Sequence, residues 1–137
     1  MKILPLAIAL SLLPIPTMAQ NLPAGNTLTG YLELVAAGIE GTDDDCYGTG
    51  RFGDVTGSMP VIVKDEQEKI IATGSTKPGK RPTENPTVRC IFSFNIKSIP
   101  KSKFYSIGIG DRGAAIFSQQ ELDDRKWEVE FVLMRSR

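Results

Sequence analysis

Hydrophobic and polar positions alternate along most of this chain with a period of two. In 27–35, Leu28, Gly30, Leu32 and Leu34 fall on one side, and Thr29, Tyr31, Glu33 and Val35 on the other. That is the mark of a strand with one dry and one wet face. The same reading gives a strand at 59–65, a polar turn at Asp65-Glu66-Gln67-Glu68, and a return strand at 69–74, together a hairpin. Residues 87–96 form the clearest strand, with Cys90, Phe92, Phe94 and Ile96 pointing one way and Arg89, Ser93 and Asn95 the other. Residues 104–110 and 114–118 make a second hairpin around Asp111-Arg112-Gly113. The chain ends on a strand at 126–134, with Trp127, Val129, Phe131 and Leu133 dry and Glu128 and Glu130 wet. One short helix interrupts the series: Ser118 followed three residues later by Glu121 is a capping-box pattern.

Two loops separate these elements. Residues 36–58 are glycine-rich and hold Asp43, Asp44, Asp45, Cys46 and Asp54. Residues 75–86 hold three prolines, which fit poorly into a sheet ladder, and the basic residues Lys77, Lys80 and Arg81. Hairpins of short strands without a long helical period predict an all-β fold: a single antiparallel β-sandwich of about seven strands with one short helix.

The first residues do not fit that pattern. Lys2, a run from Ile3 to Ile15 that is apolar apart from Ser11, and small residues Thr17 and Ala19 read as a secretory signal peptide, 1–19, with Pro14 and Pro16 breaking the apolar stretch. The expected mature chain, 20–137, is one domain, secreted or periplasmic, with no later stretch apolar enough to span a membrane. The 137 residues carry 16 basic and 16 acidic side chains, and removing Lys2 leaves a single negative charge in excess. Such a balance sets up no field for nucleic acid.

Export changes the reading of the two cysteines. In an oxidising compartment Cys46 and Cys90 are expected to join, tying the acidic loop to the dry face of an inner strand. Without a tie, a long polar loop is costly in entropy to order.

The candidate chemistry is narrow. The chain has no histidine, which removes the usual base near neutral pH and the histidine-dependent nucleophile pairs. Cys46 follows three aspartates, whose charge disfavours a thiolate. No catalytic residue is assigned. Asp43, Asp44, Asp45 and Asp54 form a candidate calcium site, since hard cations take several oxygens, although the spacing is not that of an EF-hand. Tyr47 and Phe52 are candidate contact residues for a glycan or protein, or else pin the loop to the core. Lys77, Lys80 and Arg81 could complement the aspartate loop, meet a polyanionic surface or be solvated loop charge, and Arg51, beside the acidic run, is a further candidate binding residue.

The order C-Y-G-T-G-R-F-G-D-V (46–55), V-I-V-K-D (61–65), I-A-T-G (71–74), C-I-F-S-F (90–94), F-Y-S-I-G-I-G-D-R-G (104–113), F-S-Q-Q-E-L (117–122) and W-E-V-E-F (127–131) resembles a group of small exported or membrane-tethered bacterial domains. The likeness spans about residues 28–133, and Phe117 stands where a tyrosine is common. That group has no agreed activity, so the resemblance assigns no catalytic residue. The chain is also similar, more loosely, to prealbumin-like accessory modules, which implies a binding or structural role. The expected function is therefore an exported, non-enzymatic module contacting an envelope or extracellular protein or glycan through its loops. A calcium- or carbohydrate-binding module using 43–54 and a hydrolase without histidine are the alternatives.

Overall fold

The computed structural model describes residues 25–135. The expected signal peptide lies outside the described residues. Nine strands and one helix follow in order: β1 Asn26–Val35, β2 Glu40–Thr42, β3 Asp45–Tyr47, β4 Pro60–Lys64, β5 Ile70–Ser75, β6 Arg89–Ile99, β7 Phe104–Ile109, β8 Ala114–Ser118, α1 Gln119–Asp124 and β9 Glu128–Met134. All seven strands expected from the alternation are present. β2 and β3 are additional, a small hairpin inside the glycine-rich loop.

The two main layers are a three-stranded sheet, β6-β1-β9, and a four-stranded sheet, β5-β4-β7-β8. Alternation decides which side chains meet between them. Leu28, Leu32 and Leu34 of β1, Phe92, Phe94 and Ile96 of β6, and Val129 of β9 are buried on the first sheet. Val61 and Val63 of β4, Tyr105, Ile107 and Ile109 of β7, and Phe117 of β8 are buried on the second. The result is a β-sandwich with one continuous apolar core.

The strands pair antiparallel except β1 with β9, which run parallel from Thr29 opposite Glu128 to Val35 opposite Met134. β1 and β9 lie at opposite ends of the described chain, and α1 carries the chain from β8 on the second sheet to β9 on the first. Ser118 accepts from the Glu121 amide at 3.1 Å while the Glu121 side chain accepts from the Ser118 amide at 3.2 Å, so the expected capping box is complete. Lys126 and Trp127 then adopt positive φ of 55° and 59° to turn the chain into β9. Backbone of this kind costs about 1–3 kcal/mol per residue. Burial of Trp127, its indole hydrogen bond to Asp123 at 2.9 Å, and its edge-on packing against Tyr105 oppose that cost.

β6 runs further than its sequence suggests. Lys97-Ser98-Ile99 reads as a turn but continues the strand, with Ser98 at φ 62° where the register to β1 slips by one residue. The slip is a bulge, and it lets Ile99 return to the core. The proline-rich loop also differs from expectation: Gly79 bridges to Cys46 and Lys80 to Ile91. The prolines, at 78, 82 and 86, fall at neither of these positions and so do not remove the hydrogen bonds that form.

Candidate functional site

The glycine-rich loop is fixed from both sides. Cys46 and Cys90 are joined, with Cα atoms 6.0 Å apart, and both are fully buried. Arg81 supplies a second tie. Its amide donates to the Asp43 carbonyl at 2.9 Å, and its guanidinium donates to the carbonyls of Pro86 at 2.7 Å and of Ile39 and Gly41 at 3.2 Å each. The residue read as a candidate partner contact therefore spends its donors on holding two loops together. Lys77 and Lys80 are exposed, and their backbone amides bond to Ser93 and Ile91 of β6.

The four aspartates are not brought together. Asp43 and Asp44 form the turn of the β2–β3 hairpin and Asp45 begins β3, all three exposed. Asp54 lies beyond the 3₁₀ turn Gly50–Phe52 and is gripped by Arg112, whose Nε donates to Oδ2 at 2.9 Å while Nη2 donates to Oδ1. That two-pronged bond holds the Asp54 carboxyl below its ordinary value and keeps the Arg112 guanidinium more firmly protonated. Among the described residues, no three His, Cys, Asp or Glu side chains are grouped so as to hold a metal ion.

The two aromatic candidates part company. Tyr47 is 38% exposed on the hairpin, whereas Phe52 is only 6% exposed and packs into the core. Gly48 permits this, because a Cβ there would meet the Phe52 Cβ at 2.8 Å and Leu34 at 2.9 Å. The loop's own hydrogen bonds, Gly48 to Val55 and Val55 to Phe52 at 2.9 Å each, fold the chain around the ring.

What the loop does build is a cluster of arginines around Phe52. Arg112 comes from the β7–β8 turn, and its guanidinium carbon sits 5.2 Å from the Phe52 ring centroid. One of its nitrogens also donates to the Arg51 carbonyl at 2.6 Å, fixing the 3₁₀ turn. Arg135 arrives from the end of β9. Arg51, Arg112 and Arg135, with Phe52, Leu133 and Met134, line an open depression of about 420 Å³. A smaller one, about 190 Å³, adjoins it through Arg51, Phe52 and Arg135 and reaches Ala36, Ala37 and Thr49. Among the described residues Arg51 and Arg135 form no ion pair, so the only carboxylate held in the cluster is Asp54.

Of these residues, sequence reading found Arg51 and Phe52 and missed Arg112 and Arg135. Arg112 acts on a residue 58 positions away, and its local context announces only a tight turn. Arg135 follows the last strand and has no pattern of its own. Chemically, the site presents guanidinium donors next to apolar surface. That combination suits a carboxylate, sulfate or phosphate carried on a less polar body. Comparison with models of protein families, with curated proteins and with solved structures finds no match to this chain.

Proposed function

We propose that this chain is a non-catalytic binding module that works outside the cytosol and holds an anionic group of another macromolecule at the loop end of its sandwich. The arginine cluster around Phe52 carries this reading. Three arginines line one open depression, of the three only Arg112 is engaged by a carboxylate among the described residues, and Phe52 beneath is buried. Charged rim residues of this kind steer and orient a partner more than they add raw affinity. The buried disulfide supports a compartment where such a bond persists. The likeness to small exported domains and to prealbumin-like accessory modules points the same way.

The test is titration calorimetry with dextran sulfate and with neutral dextran at low ionic strength. Binding of the sulfated polymer alone is expected, weakening as salt is raised and lost in Arg51→Ala and Arg135→Ala. Equal binding of both polymers, or binding indifferent to the two substitutions, would remove the arginine cluster from the account.

A further inference from the structure

β9 borders the arginine depression and, among the described residues, is an outer strand bonded to β1 on one side only. Exposed edges are commonly blunted by charge or proline. The first half of β9 follows that rule, with exposed Glu128 and Glu130. The second half does not. In Phe131-Val132-Leu133-Met134, Val132 is 56% and Met134 61% exposed on the outer face. On the inner face Phe131 and Leu133 stay half-buried although Val129 is fully covered. The inner face is uncovered there because a slot of about 110 Å³ separates it from the β7–β8 turn, with Leu32, Ile109 and Gly113 among its walls. Arg112 and Leu133 line both this slot and the arginine depression, so the two are continuous.

We infer that the occupant of this surface is an extended acidic peptide segment of another protein, added as a strand along Phe131–Met134 with a carboxylate seated among Arg51, Arg112 and Arg135. The inference rests on the anion-binding reading given above and names its partner. Strand addition uses main-chain hydrogen bonds for affinity and alternate side chains for choice. Here the alternate side chains on one face enter the apolar slot. The acidic end is selected by charge complementarity with the two arginines that have no ion pair among the described residues.

The experiment uses the purified protein and three probes: a labelled peptide of alternating valine and threonine ending in two glutamates, the same peptide ending in two lysines, and dextran sulfate. Anisotropy should show binding of the acidic peptide and not of the basic one. Arg51→Ala and Val132→Glu are each expected to weaken it by about tenfold, with unchanged thermal midpoints showing that the fold is kept. Hydrogen exchange should slow at residues 131–134 when the acidic peptide is bound. If dextran sulfate binds and the acidic peptide does not, the anion site stands and the strand partner is wrong. If neither binds, both readings fall. Protection confined to residues away from β9, or a dimer of the unliganded protein that Val132→Glu dissolves, would also overturn the inference, the latter by making a second copy the occupant.

Discussion

The amide of Cys46 donates to the carbonyl of Gly79 across 3.0 Å, and this contact seats the proline-rich loop directly on the disulfide. Gly79 is there for space, since it is buried and a Cβ would fall on the Cys46 carbonyl and the Cys90 sulfur, with Phe92 Cε1 at 2.7 Å. None of these atoms can swing away. Gly79→Ala is expected to cost about 1–3 kcal/mol, the usual range for overpacking. Gly53→Ala is the control, because its nearest contact, the Gly50 carbonyl at 3.2 Å, leaves nearly enough room. Urea melts should show a lower midpoint with unchanged slope for Gly79→Ala. Equal midpoints for the two variants would contradict the packing.

The same junction makes the disulfide a stability element rather than a reactive one. Both sulfurs are fully buried, so a reductant reaches them only when the structure opens. The native protein should resist dithiothreitol until denaturant is added, as read by thiol titration. Replacing both cysteines by alanine is expected to destabilise by about 2–4 kcal/mol, measured by urea melts at neutral pH. Rapid reduction of the folded protein would count against the observed burial.

The Asp54–Arg112 clasp gives an acid-side prediction. The folded pKa of Asp54 lies below its ordinary value of 3.8, chiefly because Arg112 bonds to the ionised form. A depressed carboxyl contributes stability above its unfolded pKa and loses it as pH falls through the folded one. Wild type should therefore exceed Asp54→Asn near neutrality by a modest margin, since the pair is exposed to solvent. The gap should close as pH drops below 3.8. Thermal midpoints of both proteins between about pH 7 and pH 2 check it. A gap that stays constant would mean that the ion pair is not its source.

Period-two patterning made the sandwich legible, because burial on one face forces alternation wherever both faces are distinct. Leu28 to Leu34, Cys90 to Ile96 and Tyr105 to Ile109 are cases in point, as their buried positions show. The capping box at Ser118 and Glu121 was equally plain, being a local device. Pairing direction was not, since β1 and β9 share one alternation whether they run parallel or antiparallel. The β2–β3 hairpin was hidden by its composition: Glu40-Gly41-Thr42 is wholly exposed and owes its place to Cys46 and Arg81 rather than to its own apolar content. The candidate site was half legible for a related reason. Arg51 and Phe52 stood out beside the cysteine, but Arg112 and Arg135 join them only through the folding of the two sheets.

Tyr105 provides the remaining prediction, on the alkaline side. Its ring is fully buried, 5.1 Å from the Trp127 ring at an interplanar angle of 77°. Its hydroxyl accepts from the Ser102 amide at 2.7 Å and donates to the Pro100 carbonyl at 3.1 Å, pinning the turn between β6 and β7. Tyr105→Phe keeps the aromatic pair and leaves the Ser102 amide unpartnered, at an expected cost of about 1–3 kcal/mol. Burial also raises the phenol above its ordinary value of 10.0. A group raised in this way contributes stability in full below its unfolded pKa and loses it as pH climbs through the folded one. The difference between wild type and Tyr105→Phe should thus be constant near neutrality and shrink above pH 10.0, as the wild type alone loses this contribution. Denaturant melts at about pH 8 and pH 11 measure it, and near-ultraviolet circular dichroism shows whether the Trp127 packing survives the substitution. A difference that stays constant as the pH rises would mean that the hydroxyl is already solvated, and that the turn at Pro100–Ser102 is held by something other than Tyr105.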